Sequence, residues 1–173
     1  MSKKIAILVE EGIHDLEFWY PYYRLVEEGY SPVIIGPDSK KTYTGKMGGP
    51  FRAEKTPGEV SASDFAGVVV PGGWGPDKLR ADRGIVELVR KIHENGGVVA
   101  AICHGGSVLV SARILGGVRA TSYVSIRDDM ELAGAEWTDE SVVVSRRIVT
   151  SRTPADLPVF CKALLGELAG KNA

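Results

Sequence analysis

The feature that most constrains the fold is a short apolar run that ends in a cysteine. Val98–Ile102 contains only β-branched and small apolar residues and lies between glycine pairs at 96–97 and 105–106. Such a run is typical of a strand that is buried on both faces of a parallel sheet. The next segment, 107–115, has apolar residues at helical spacing. Cys103 therefore lies where a strand ends and a helix begins, at the edge where open α/β sheets bind ligands.

This position favours a reactive thiol. The N–H groups at the start of a helix carry partial positive charge, which predicts a depressed pKa for Cys103. His104 adjoins the thiol in sequence, and the following glycines leave room for backbone amides to approach an oxyanion. A Cys–His pair between strand and helix is a setting that activates a nucleophile. The alternative is a buried cysteine at a sharp turn, since free cysteines are often buried.

Composition excludes several classes of protein. With 173 residues and a formal charge of −1, the chain fits one domain, 1–173, without a broad electrostatic footprint for nucleic acids or membranes. Two cysteines and three histidines provide neither a disulfide framework nor metal-ligand spacing. The N-terminal segment, residues 1–9, is too short for a secretory signal and lacks a small-residue cleavage site. We therefore expect a cytoplasmic protein that uses no metal and no cofactor.

Strand and helix patterns alternate along the whole chain. Asp15 is predicted to cap a helix over 16–28 that Pro21 kinks or breaks early, and Asp82 to cap a helix that ends near Asn95. The remaining predicted elements are strands at 5–9, 33–35, 68–70, 141–144 and 148–151, a hairpin within 36–56, a short helix over 126–133 and a last helix that ends near 169. This alternation predicts a flavodoxin-like, doubly wound α/β sandwich with a mostly parallel central sheet.

Two further positions fall near the sheet edge that carries Cys103. Glu17 lies soon after the first strand and is either a solvated helix charge or a hydrogen-bond partner of the thiol. The segment Pro71–Asp77 contains three glycines and two prolines after a buried strand, which indicates a sharply bent loop. Within it, the N–H of Gly73 is a candidate oxyanion donor, and the alternative is a plain turn.

Several ordered segments together resemble the PfpI-type intracellular protease family of the ThiJ/PfpI superfamily. They span nearly the whole chain, so the resemblance is far more specific than a single Cys-His-Gly motif. The matching segments are Tyr20-Pro21-Tyr22, Thr44-Gly45-Lys46, Val70-Pro71-Gly72-Gly73, Ala101-Ile102-Cys103-His104-Gly105, Thr121-Ser122-Tyr123, Asp128-Asp129-Met130, and Ser151-Arg152 with Pro154-Ala155-Asp156-Leu157.

The resemblance implies a role for each candidate residue. Cys103 would be the nucleophile and His104 its base or orienting partner. Glu17 would hydrogen-bond the thiol, and the amides of Gly73 and His104 would form the oxyanion hole. An acidic residue from a neighbouring subunit would complete a Cys–His–acid triad. That position is Asp77 here, where the family usually has the longer Glu.

The resemblance also concerns the pocket and the assembly. His14 stands where relatives commonly have an acidic residue, and it either adds a titratable group at the mouth of the site or is exposed. With Tyr123 it is assigned to the substrate pocket. Because the implied triad is shared between subunits, we expect a symmetric homodimer or a hexamer.

The function that this resemblance implies is that of a cytosolic cysteine hydrolase without a cofactor. Its substrate would be a peptide, a reactive dicarbonyl such as methylglyoxal, or a glycated side chain, because the superfamily includes peptidases, glyoxalases and deglycases. The alternative is an oxidative-stress sensor or chaperone-like protein that acts through oxidation of Cys103, with Glu17 stabilising the oxidised sulfur.

Overall fold

In the computed structural model, which describes residues 2–170, a six-stranded sheet forms the centre of the protein. Five of its strands run parallel, and one edge strand is antiparallel. In spatial order they are β2 (Ser31–Ile35), β1 (Lys4–Leu8), β5 (Phe65–Val70), β6 (Val98–Ile102), β10 (Ile148–Ser151) and the antiparallel β9 (Val142–Ser145). The strand order changes direction between β1 and β5, and ligands of such sheets bind outside the carboxyl ends of the strands at this point.

Helices cover both faces of the sheet. They are α1 (Asp15–Glu27), α2 (Gly75–Leu79), α3 (Arg83–Glu94), α4 (Gly106–Ala112), α5 (Arg127–Leu132) and α6 (Leu157–Leu168). Side chains from α1 and α6 share one buried cluster, and those from α3, α4 and α5 share another. Alternate strand residues divide between them: Val69 faces the first cluster, whereas Val68 and Val70 face the second. The predicted doubly wound α/β sandwich is confirmed.

Two small sheets complete the fold. Strands β3 (Thr42–Thr44) and β4 (Pro50–Arg52) form the antiparallel hairpin that was expected within 36–56. Strands β7 (Arg119–Ala120) and β8 (Glu136–Trp137) pair in parallel. Among the helices between residues 2 and 170, none combines the length and the apolar character that are needed to cross a bilayer.

The expectation that Asp15 caps α1 is wrong, and so is the early break considered at Pro21. Asp15 is not the cap but the first helical residue, and its carboxylate accepts hydrogen bonds from the N–H groups of Met47 (2.8 Å) and Gly49 (2.9 Å) in the β3–β4 turn. Pro21 does not end the helix, which continues to Glu27. Pro21 is buried in α1 between Phe18 and Leu25, and the packing of this face offsets the hydrogen bond that proline removes.

Candidate active site

Cys103 occupies a strained elbow between β6 and α4. Ile102 is extended, Cys103 has a φ of 60°, and residues 103–105 form one 3₁₀ turn before α4 begins. A positive φ is uncommon for a residue with a side chain and often marks a functional position. The side chain is 8% exposed, and its Sγ lies 3.3 Å from Nδ1 of His104. The predicted corner and the Cys–His contact are thus both present.

The loop after β5 forms one wall of this site. Gly73 has a φ of 80° and makes an isolated antiparallel bridge with Ile13. A Cβ on Gly73 would lie 2.5 Å from the carbonyl oxygen of Gly12, so this close approach requires glycine. The backbone N–H groups of Gly73 and His104 both lower the pKa of the Cys103 thiol. The loop therefore lies beside the sulfur, and the role of these two N–H groups as oxyanion donors stays a prediction.

Glu17 lies behind the thiol and is completely buried. Its Oε2 accepts a hydrogen bond from the N–H of Gly72 at 2.7 Å, whereas Oε1 has no hydrogen-bond partner among the residues described. Burial raises the pKa of Glu17 to about 7, and this exceeds the opposing effects of the Gly72 N–H, the Cys103 thiol and the Lys46 charge. The interpretation as a solvated helix charge is therefore wrong, and the carboxyl group is placed to exchange a proton near neutral pH.

The depressed thiol pKa expected from the helix start is not found in the single chain. Burial and the negative charge of Glu17 raise the pKa of Cys103 to about 12, although the N–H groups of His104 and Gly73 and the Lys46 charge act in the expected direction. Protonation of Glu17 removes its negative charge, which is the second of the two causes that raise the pKa of Cys103. Since burial raises the pKa of Glu17 to about 7, the carboxyl group holds a proton over much of the range below neutral pH.

The imidazole of His104 is held from several sides. Nδ1 faces the thiol, Nε2 lies 3.1 Å from Oγ of Ser125, and the ring stacks on Tyr123 with 4.8 Å between ring centres. Burial and the charge of Lys46 lower the pKa of His104, which favours the neutral ring at neutral pH. A neutral imidazole beside a thiol can act as its base. Tyr123 thus contacts His104, and its assignment to the substrate pocket stays a prediction.

The two other predicted residues are placed differently. Asp77 is exposed in the first turn of α2, and within residues 2–170 no hydrogen bond joins it to His104. Its role therefore stays a prediction that depends on a second subunit. His14 is half-buried rather than exposed. Its backbone N–H donates to the carbonyl of Gly72 at 3.0 Å, and its buried ring atom Nδ1 has no hydrogen-bond partner in the described part of the chain. Burial and the Lys46 charge lower the pKa of His14.

Lys46 is a site residue to which sequence reasoning assigned no role. Its backbone N–H donates to the carbonyl of Ile13 at 2.7 Å, and its side-chain Nζ lies 5.2 Å from the ring centre of Trp74. From this position its charge acts on Cys103, Glu17 and both nearby histidines. No local pattern indicates this, because a lysine in a glycine-rich turn is usually a solvated charge. The turn reaches the site because buried Asp15 anchors it.

Comparison with known proteins identifies the family. The sequence profile of the DJ-1/PfpI family matches residues 3–167. The chain therefore belongs to the DJ-1/PfpI family, which confirms the resemblance drawn from its motifs.

Three similar proteins illustrate this membership. YraA of Bacillus subtilis, provisionally named a cysteine protease, is 45% identical over 168 residues, which cover 97% of this chain and 99% of YraA. The deglycase PfpI of Pyrococcus furiosus is 44% identical over 154 residues, covering 89% and 92% of the two chains. A crystal structure of an Anabaena variabilis protein with DJ-1/ThiJ/PfpI-like and ferritin-like domains aligns with a TM-score of 0.95 and 41% identity over 97% of this chain, which spans 48% of that protein.

Proposed function

We propose that this protein is a cysteine hydrolase of reactive carbonyl compounds, with Cys103 as its nucleophile. The observation that carries the proposal is the contact of 3.3 Å between Sγ of Cys103 and Nδ1 of His104 at the strained elbow. The N–H groups of Gly73 and His104 act on the same sulfur. Donors in this position can stabilise the negative oxygen that forms when a thiolate attacks a carbonyl carbon.

The proposed chemistry on a 2-oxoaldehyde such as methylglyoxal begins at the aldehyde carbon. The sulfur of Cys103 forms a bond to this carbon, and the thiol proton passes through His104 to the new alkoxide, which gives a thiohemiacetal. Glu17 then removes the proton on that carbon and returns it to the neighbouring carbonyl carbon, while the hydroxyl proton moves to the second oxygen. The product is a thioester of a 2-hydroxy acid. Water hydrolyses this thioester and restores the thiol.

An amine modified by methylglyoxal would reach the same thiohemiacetal through a different first step. The sulfur displaces the amine, so that a C–S bond forms as the C–N bond breaks, and His104 delivers the proton to the leaving nitrogen. Two features favour small carbonyl compounds over extended peptides. Cys103 is only 8% exposed, which restricts access to its sulfur. A relative that is 44% identical is named a deglycase.

The test compares two single-cysteine variants. Lactate formation from methylglyoxal, and release of amine from a methylglyoxal-modified amino acid, are measured for the wild type, Cys103→Ala and Cys161→Ala. Cys161 is a buried residue of the α6 core and serves as the matched control. Cys103→Ala is expected to lower turnover by about three orders of magnitude or more, as removal of a nucleophile does. Turnover that persists in Cys103→Ala would contradict the proposal.

A second candidate function follows from the position of Glu17. Burial raises the pKa of its carboxyl group to about 7, and a protonated carboxyl group beside the sulfur could donate a hydrogen bond to a sulfinate. The protein would then act as an oxidative-stress sensor. Mass spectrometry after peroxide treatment discriminates the two functions: two oxygens gained at Cys103, without turnover of either carbonyl substrate, would favour the sensor.

We also propose that the chain forms a homodimer or a hexamer. Along α1, the side chains of Leu16, Tyr20 and Tyr23 are exposed at helical spacing, and Trp74 is 64% exposed next to α2, which carries Asp77. Exposed apolar residues of this size commonly mark protein–protein contacts. Sedimentation equilibrium of the wild type and Trp74→Ser tests this: a monomeric wild type would rule out the assembly.

A further inference from the structure

The segment after β7 brings a hydroxyl group to the far side of the His104 ring. Oγ of Ser125 lies 3.1 Å from Nε2, while Nδ1 of the same ring faces the Cys103 thiol at 3.3 Å. Sequence analysis assigned Ser125 no role, and neither does the triad implied by the family. The two ring nitrogens of His104 are thus both occupied by side chains of one chain.

The two contacts impose a consistent proton arrangement. When the thiol donates to Nδ1, the neutral ring carries its proton on Nε2, which donates to Oγ of Ser125. When the proton moves from sulfur to Nδ1, Nε2 keeps its proton and becomes a donor of the cationic ring, which makes stronger hydrogen bonds. An acceptor at Nε2 therefore stabilises the neutral ring before the proton transfer, and it stabilises the cationic ring more strongly afterwards.

The backbone of this segment is fixed relative to the elbow. The N–H of Tyr123 donates to the carbonyl oxygen of Cys103 at 3.2 Å, and the Tyr123 ring stacks on His104. Residues 124–126 then form a 3₁₀ turn whose last residue, Ile126, is buried. Ser125 is consequently held in place by the contacts of its neighbours, although its own side chain is exposed.

We infer that Ser125 is a positioning residue that orients His104 toward Cys103 from within the same chain. The inference deepens the proposed function and rests on it for its relevance to turnover. It concerns a contact within one chain and is separate from the implied triad, whose Asp77 lies exposed on α2 and depends on a second subunit.

The first test follows the ring itself and needs no turnover. The sequence contains only three histidines, so the imidazole signals in proton NMR can be assigned with His14→Gln and His93→Gln. Besides Ser125, the titratable or charged groups that act on His104 are Cys103 and Lys46. Because Oγ stabilises the cationic ring, His104 is expected to titrate at lower pH in Ser125→Ala than in the wild type. Ser125→Thr keeps the hydroxyl group and should restore the titration.

The second test measures alkylation of Cys103 by iodoacetamide between pH 5 and 9. Loss of one hydrogen bond should slow alkylation of Ser125→Ala about fivefold near neutral pH, and Ser125→Thr should recover the rate. Ser63→Ala is the matched control, because Ser63 is also exposed and its hydroxyl makes a hydrogen bond with that of Ser61. The rate per chain should also be independent of protein concentration.

Two results would overturn the inference. One is a Ser125→Ala protein in which the titration of His104 and the alkylation profile both match the wild type. The other is a change of both properties in Asp77→Asn but not in Ser125→Ala, which would assign the orientation of His104 to the acid of another subunit. Failure of the proposed function is a separate outcome, since a chain without turnover can still show the expected titration and alkylation.

Discussion

The carboxyl group of Glu17 accepts a hydrogen bond from the N–H of Gly72 across 2.7 Å, directly behind Cys103. This bond joins α1 to the loop after β5, the two segments that flank the change in strand order. It also holds a carboxyl group whose pKa burial raises to about 7 against the thiol of Cys103. The same contact therefore has consequences for stability, for packing and for reactivity.

Stability should decrease as pH rises through the titration of Glu17. An unfolded glutamate loses its proton near pH 4.5, whereas folded Glu17 keeps it to about pH 7. Between these values the folded state holds the extra proton, so the contribution of this group is fully present below pH 4.5 and is lost as pH rises through 7. The change is on the order of 3 kcal/mol.

Urea unfolding at pH 5 and pH 8 measures this effect. Glu17→Gln mimics the protonated carboxyl group and still offers an oxygen to the N–H of Gly72, so the variant should lose the part of the pH dependence that Glu17 contributes. The exposed Glu136→Gln serves as control and should retain the pH dependence of the wild type. An unchanged dependence in Glu17→Gln would show that Glu17 is not its source.

Gly72→Ala should destabilise the protein severely. A Cβ at this position would collide with Oε2 of Glu17 and lie 2.7 Å from Cβ of Cys103, and neither neighbour can move without displacing the site. Overpacking of this kind costs about 3 kcal/mol or more. Gly58→Ala is the control, because its Cβ would meet only a side-chain oxygen at 4.0 Å and should change stability by less than about 1 kcal/mol. Thermal unfolding of both variants provides the measurement, and equal melting temperatures would refute the steric argument.

Iodoacetamide should label Cys103 much faster than Cys161 at pH 7. Burial raises the pKa of both thiols to about 12, but Cys103 alone has a base at 3.3 Å, and its exposed fraction is 8% against 1% for Cys161. Peptide mapping by mass spectrometry gives the two rates. His104→Ala should slow labelling of Cys103 by at least about tenfold and leave Cys161 unaffected. Equal rates at the two cysteines of the native protein would count against activation.

Lys46→Met should make Cys103 less reactive. The lysine charge lowers the pKa of the thiol, and methionine keeps the apolar stem that packs near Trp74 while removing that charge. Because Lys46 is exposed, the expected decrease in the alkylation rate is only about threefold, and it should shrink as salt is added. Lys55→Met is the control, because Lys55 is also exposed but lies beyond β4, where its backbone bridges Ile35. A rate that does not depend on the residue at 46 would remove this lysine from the site.

Much of the architecture follows from local patterns. Continuous apolar runs mark strands that are buried on both faces, and the stripes of α3 and α6 mark helices that cover them. Glycines and prolines at 71–77 indicate the bend after β5, although residues 75–77 already belong to α2. The carboxyl ends of parallel strands meet at one edge, so the proximity of Cys103 to this loop could be predicted without coordinates.

Other properties depend on groups that are distant in the chain. Asp15 has the sequence signature of a helix cap, yet its carboxylate binds N–H groups more than thirty residues away. The roles of Lys46 and Ser125 depend on where their segments dock against His104 and the elbow, which no periodicity encodes. The length of α1 beyond Pro21 likewise depends on its packing in the core.

The sequence by itself therefore determined the order of the elements, the elbow at Cys103 and the identity of its neighbour, because backbone preferences and hydrophobic spacing act over a few residues. Only the tertiary structure decided the protonation of Glu17, the partners of His104 and the direction of the thiol pKa. These depend on desolvation and on charges brought together by folding, and both are set by distances in space rather than by positions along the chain.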